Sequence, residues 1–151
     1  MLTVYFVQHG IALSKDVDET RPLSNAGAEE VQRVASTLKK NNVDICKIYH
    51  SGKLRALQTA SIFSQVLDVK VIDELKGLNP NDEPEKLIEQ ITEDAVMYIG
   101  HLPNLNKVVS TLLTNNINNN IINFQNSAVA CVEINDNENH MNWFITPKQC
   151  Q

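Results

Sequence analysis

Three apolar runs in this 151-residue chain break off at histidine. Leu2 to Val7 is followed by Gln8-His9-Gly10, Ile45 to His50 leads into Ser51-Gly52-Lys53-Leu54-Arg55, and Ala95 to Ile99 is followed by Gly100-His101. The first run is apolar on both faces and rich in Val, Tyr and Phe, which suits a strand buried inside a parallel sheet. Between such runs lie helical patterns. Ser24 caps a segment with Val31, Val34, Ala35 and Leu38 on one face, ending at Asn41-Asn42. Ala56, Ala60, Phe63 and Leu67 mark a second helix, and Leu105, Val108, Val109, Leu112 and Leu113 a third. Val69 to Ile72 reads as a short strand, and Asp82 with Glu85 as a capping box for a small helix bearing Leu87, Ile88 and Ile91.

Strands alternating with helices predict an α/β fold, a three-layer α/β/α sandwich on a mostly parallel central sheet. Ala128 to Ile134 and Trp143 to Ile145, flanking Asn135 to Asn139, predict a C-terminal hairpin, and the Asn-rich stretch from Asn115 to Asn126 a surface loop. No linker or repeat interrupts the pattern, so residues 1–151 are read as one domain. A chain this long buries roughly 70% of its unfolded surface, enough for a core without staples.

Net charge excludes one class of partner. At −5, the chain lacks the clustered Lys and Arg that nucleic acid demands. No run approaches the roughly 18 apolar residues of a membrane helix. The N-terminal run lacks the basic flank and cleavage site of a signal peptide. Cys46, Cys131 and Cys150 are odd in number and unpatterned, which suits reduced thiols in a cytoplasmic protein; Cys150, near a terminus, is expected to be mobile.

In a parallel α/β sheet, ligands bind beyond the carboxyl ends of the strands, where helix N-termini also point. Strand ends carrying His9, His101 and Arg55 therefore define a candidate anion site. Of 13 basic residues only Arg21, Arg33 and Arg55 are arginine. Arg33 falls inside a helix and reads as a surface charge. Arg55 falls in a first helical turn, where a cation is mildly unfavourable unless an anion binds there, and a guanidinium fork grips phosphate as lysine cannot. Arg21 precedes a helix, with a carboxylate ion pair as its alternative. His50 and His140 read as structural histidines.

The set Val7-Gln8-His9-Gly10, Ser51-Gly52-Lys53-Leu54-Arg55-Ala56-Leu57-Gln58-Thr59-Ala60 and Gly100-His101-Leu102-Pro103 resembles the histidine phosphatase superfamily, with its phosphoglycerate mutase-like fold. The short chain, Arg21-Pro22-Leu23-Ser24 and His101-Leu102-Pro103 look most like its SixA-type phosphohistidine phosphatase branch. The resemblance implies that His9 is a phosphoryl-accepting nucleophile. It implies catalytic roles for His101 and Arg55, and a phosphate pocket of Gln8, Gly10, Arg21, Arg55 and His101. Ser127-Ala128 matches a Ser-Ala pair near the last strands. No cofactor and no metal are implied, and the partners are a His-phosphorylated protein or a small phosphorylated substrate, with inorganic phosphate as product. Two positions depart from the family pattern. Gln8 stands where an arginine is usual, removing a fixed positive charge, and Gly52 stands where a proline is usual, a change expected to cost only loop rigidity. Two alternatives stay open. One is a small-molecule phosphomonoesterase with Glu74 as general acid. The other is a phosphate-binding or interaction module weakened by Gln8.

Overall fold

The computed structural model describes residues 1–151. Along the chain run β1 (Leu2–Gln8), α1 (Asn25–Lys40), β2 (Lys47–His50), α2 (Leu54–Leu67), β3 (Val71–Glu74), α3 (Pro84–Ile88), β4 (Val96–Gly100), α4 (Asn104–Thr114), β5 (Val129–Ile134) and β6 (His140–Ile145), closed by a 3₁₀ turn at Pro147–Gln149. One six-stranded sheet has the order β3-β2-β4-β1-β5-β6. β1, β2, β3 and β4 are mutually parallel, while β5 and β6 are antiparallel additions. The sandwich and the hairpin are as the sequence predicts.

Strand alternation sorts the core onto two faces. Tyr5, Val7, Met97 and Ile99 face α1 and α2, meeting Val31, Val34, Ala35, Leu38, Ala56, Ala60 and Phe63. Val4, Phe6, Val96 and Tyr98 point the other way, toward Leu87 of α3 and Leu105, Val108 and Val109 of α4. Because β4 and β1 lie at the centre with cover on both sides, β4 is buried at every residue. Burying each large aliphatic or aromatic side chain stabilises the fold by about 1.5–3 kcal/mol.

Several boundaries differ from the sequence reading. The third strand starts at Val71 rather than Val69, because Asp68 caps α2 in the left-handed conformation (φ 55) and Val69 still packs in the core. The second starts at Lys47, and β6 reaches back to His140. The Asp82 and Glu85 capping box does not form. Asp82 accepts the Asn79 N–H instead (3.0 Å), and α3 starts from an uncapped Glu83 with Pro84 in its first turn. The Asn-rich loop is anchored: Ile122 and Phe124 are buried, and Phe124 meets Phe144 edge-on at 5.7 Å. Cys150, expected to be loose near the terminus, is buried instead. The closing 3₁₀ turn, with Thr146 and Gln149 forming a capping box, packs it into the core.

Candidate active site

Because four strands are parallel, their carboxyl ends share one edge of the sheet, and β5 enters at that same edge. Gln8 pairs with Gly100, and His50 pairs with Ile99. The residues next along the chain, His9, Ser51 and His101, therefore emerge side by side. The rings of His9 and His101 are 4.9 Å apart, centre to centre. Both are buried, at 9% and 2% exposed.

A hydrogen-bond frame orients His9. Its backbone N–H donates to Gly100 O (3.1 Å), and its carbonyl accepts from Asn126 Nδ2 (3.0 Å) and from the Ser127 N–H (3.3 Å). Its ring Nδ1 donates to Gly10 O at 2.7 Å, since a carbonyl can only accept. That assigns the Nδ1–H tautomer and leaves the Nε2 lone pair free. Gly10, expected to offer its backbone to phosphate, has its N–H committed to Thr59 Oγ1 (3.0 Å). A Cβ at Gly10 would lie 2.7 Å from Val31 Cγ2, so glycine is required there for strand-to-helix packing. Thr59 Oγ1 in turn donates to Arg55 O (2.7 Å), tying the His9 loop to the first turn of α2.

His101 is oriented from the other side. Lys53 N–H donates to Ser51 Oγ (3.3 Å), and Ser51 Oγ lies 2.7 Å from His101 Nε2. Ser51 Oγ can donate its proton to Nε2, and when it does the His101 proton sits on Nδ1. That Nδ1 is buried without a partner.

Unpartnered polar atoms collect here. Gln8 Oε1, Arg55 Nε, His101 Nδ1 and Ser127 Oγ are all buried without a hydrogen bond. Such groups normally find partners, and each orphan costs about 1–3 kcal/mol. Arg21 and Ser127 also hold the left-handed conformation (φ 50 and 69), which non-glycine residues rarely adopt and which gathers at functional sites. Arg21 Nε donates to Leu13 O (3.0 Å). Neither Arg21 nor Arg55 forms a carboxylate ion pair; the two salt bridges in the molecule are Lys47–Glu93 and His140–Glu138. Instead the guanidiniums are close enough to lower the pKa of nearby groups. Burial, followed by Arg55 and Arg21, pushes His9 down to about 4. Burial, then His9 and Arg55, pushes His101 down to about 3. Burial and the neighbouring Arg21 also hold Arg55 below its usual value. α2 and α4 both start here without a side-chain cap, aiming their N-terminal dipoles at the same space.

Glu74 ends β3, exposed to solvent. Its Oε1 lies 2.1 Å from where a Cβ on Gly52 would stand. Gly52 has φ +92, which proline cannot adopt. Glycine therefore permits a turn here that proline could not form, a difference beyond rigidity, and Glu74 fills the space beside it.

Two neutral imidazoles, two unpaired guanidiniums and uncapped helix starts gather on one sheet edge as a candidate tetrahedral-oxyanion site in a phosphoglycerate mutase-like fold. The chain belongs to the histidine phosphatase superfamily (branch 1), whose family model matches residues 4–94. It is therefore a hydrolase of the phosphatase class. The phosphohistidine phosphatase SixA of Escherichia coli (strain K12) is 28% identical over 155 residues, spanning 97% of this chain and 94% of that one. The structure of the protein histidine phosphatase SixA complexed with tungstate superposes with a TM-score of 0.83, at 26% identity over 98% of this chain and 99% of the other. The fold is also shared, at a TM-score of 0.73 and 15% identity over 95% and 96% of the chains, by a phosphoserine phosphatase from Entamoeba histolytica in complex with 3-phosphoglyceric acid.

Proposed function

We propose that this protein is a phosphohistidine phosphatase acting on a His-phosphorylated protein, with His9 as the nucleophile. The observation that carries this reading is His9 itself: a buried, neutral imidazole with its proton tied to Gly10 O and Nε2 left free beside His101 and two unpaired arginines. Likeness to SixA supports the substrate class.

Nε2 attacks phosphorus in line, and the bond to the departing nitrogen breaks as the new N–P bond forms. The departing imidazole carries a proton on its other ring nitrogen, so it leaves as a neutral molecule and needs no general acid. Water then attacks the phosphoryl group on His9, releasing inorganic phosphate and restoring the Nε2 lone pair. Arg55, Arg21, the His101 Nδ1–H and the Gln8 amide hold the oxygens on which charge spreads in the transition state. Of the orphaned atoms of the free protein, Arg55 Nε–H, the His101 Nδ1–H and the Ser127 hydroxyl are donors that phosphoryl oxygens can partner, and Gln8 reaches them through its amide N–H rather than its Oε1.

His9→Ala tests the reading. Phosphate release from a histidine-phosphotransfer domain phosphorylated with phosphoramidate should fall by on the order of 10⁶, the usual scale for a lost nucleophile. Unchanged release would remove His9 from the mechanism. A second reading is favoured by one observation, the Glu74 carboxylate packed over Gly52 next to Ser51. As a general acid there, Glu74 would serve phosphate esters, whose alkoxide leaving groups need a proton. Turnover of sugar phosphates or nucleotides that is lost in Glu74→Gln would favour it.

A further inference from the structure

We propose that His50 is a positioning residue for His101, acting through the turn Ser51-Gly52-Lys53. The proposal rests on the assignment of His101 as a phosphate-binding donor. Read as a sequence, His50 is a structural histidine at the end of a strand. The structure gives it a specific connection.

His50 is 7% exposed, and its ring Nδ1 accepts the Gly52 N–H at 3.0 Å. Accepting at Nδ1 requires the neutral ring with its proton on Nε2. The bond spans two residues along the chain and closes the turn in which Gly52 takes φ +92. Within that turn the Lys53 N–H reaches Ser51 Oγ (3.3 Å), and Ser51 Oγ reaches His101 Nε2 (2.7 Å). Proton positions follow link by link. Gly52 donates to His50 and Lys53 donates to Ser51; a His101 that donates to phosphate from its unpartnered Nδ1 must accept the Ser51 O–H at Nε2. If the turn loosens, Ser51 Oγ loses the Lys53 N–H that helps fix its orientation toward His101 Nε2, and both tautomers of His101 become accessible.

The turn is held from outside as well. His50 pairs with Glu74 across β2 and β3, the Leu75 N–H donates to His50 O (2.9 Å), and the Glu74 side chain packs over Gly52. Glu74 and Asp73 are the charged groups whose field acts on the His50 ring, and both favour its protonated form. Burial opposes them and holds the pKa below the ordinary histidine value, which keeps Nδ1 available as an acceptor.

Two substitutions at His50 separate the hydrogen bond from simple packing. Leucine fills the space with no acceptor, whereas asparagine places Oδ1 near the position of Nδ1. His50→Leu should lower kcat on the phosphoramidate-labelled phosphotransfer domain about tenfold, the scale of one lost hydrogen bond, with KM little changed. His50→Asn should recover most of that loss. Imidazole ¹⁵N spectra should show His101 protonated at Nδ1 in the native protein and in His50→Asn, and a tautomer mixture in His50→Leu. Tungstate affinity should follow the same order. The spectra and the tungstate titration do not depend on His9 chemistry, so they test His50 even if the nucleophile assignment fails. If His50→Leu does not fold, His50→Gln replaces it, because its acceptor stands one carbon too far out to meet Gly52. Equal loss in the asparagine and leucine (or glutamine) variants, or a His101 tautomer unmoved by any of them, would overturn the proposal.

Discussion

The two ends of the sheet hold their charges in opposite ways. At the amino end Lys47 Nζ meets Glu93 Oε2 at 2.8 Å, the Thr3 N–H donates to Asp94 Oδ1 (2.7 Å) and Cys46 N–H donates to Ala95 O (2.8 Å). At the carboxyl end Arg21 and Arg55 depress each other's neighbours with no carboxylate between them, and four buried polar atoms stand without partners. A folded chain satisfies nearly all of its buried polar groups, so a cluster of orphans calls for a specific explanation, of which a bound ligand is one. The first end is finished by the protein itself; under the proposed function the second is finished by the phosphoryl group it binds. Strand polarity produces the contrast, because parallel strands send helix N-termini to their carboxyl edge.

Removing one guanidinium should break the contrast most severely. Arg55→Ala should lower phosphate release from a phosphohistidine protein by roughly 10³ to 10⁵, the range for an arginine that stabilises a phosphoryl transition state. Arg55→Lys should recover only part of it, since an ammonium cannot present the forked donor pair. A loss below tenfold would place Arg55 outside the reacting complex.

Gln8→Arg sharpens the contrast by adding a third cation to the unfinished end. Hydrogen bonds to charged groups contribute about 1.5–3 kcal/mol against about 0.5–1.5 for neutral ones, so turnover should rise by roughly tenfold. The same substitution should tighten tungstate binding, measured by calorimetry. A protein inert in both forms that still binds tungstate would be a phosphate-binding module rather than a phosphatase.

Acid tests the same end without mutation. His9 at about 4 and His101 at about 3 both lie below the unfolded value of about 6.5, so the folded protein binds fewer protons than the unfolded chain in that window. Their contribution to stability is complete above about pH 6.5 and is lost as pH falls toward 4 and below. The melting temperature should therefore drop on acidification through that range, and phosphate should blunt the drop, because a bound anion favours protonated imidazole. Phosphate with no effect on the acid slope would count against an anion seat beside the two rings.

Much of this was legible in the residues, and the exceptions have a common cause. His9, Arg55 and His101 could be found because each follows an apolar run whose length and β-branching mark it as a buried strand. Thr59 and Asn126 carried no such mark, although one ties His9's loop to Arg55 and the other holds His9's carbonyl. Thr and Asn are ordinary in helices and loops, and their roles come from partners 49 and 117 positions away. The left-handed backbone at Arg21 and Ser127, and the Glu74 side chain over Gly52, are likewise products of tertiary packing. Asp82 shows the converse. Its local capping signal was present, yet it closes a turn onto Asn79, and its carbonyl accepts from Asn104 of α4.

The smallest expected effect lies at the finished end. Lys47→Ala removes the partner of Glu93, and both side chains are substantially exposed, at 23% and 49%. Exposed pairs contribute little because water screens the attraction and two long side chains must be ordered to make it. Turnover should stay at the native value, and the melting temperature should move less than in any variant at the carboxyl edge. Added salt should narrow even that difference, since screening weakens the native pair and leaves the variant untouched. A drop in turnover from Lys47→Ala would mean that charge at the amino end reaches the imidazoles through the sheet, and the division between the two ends would fail.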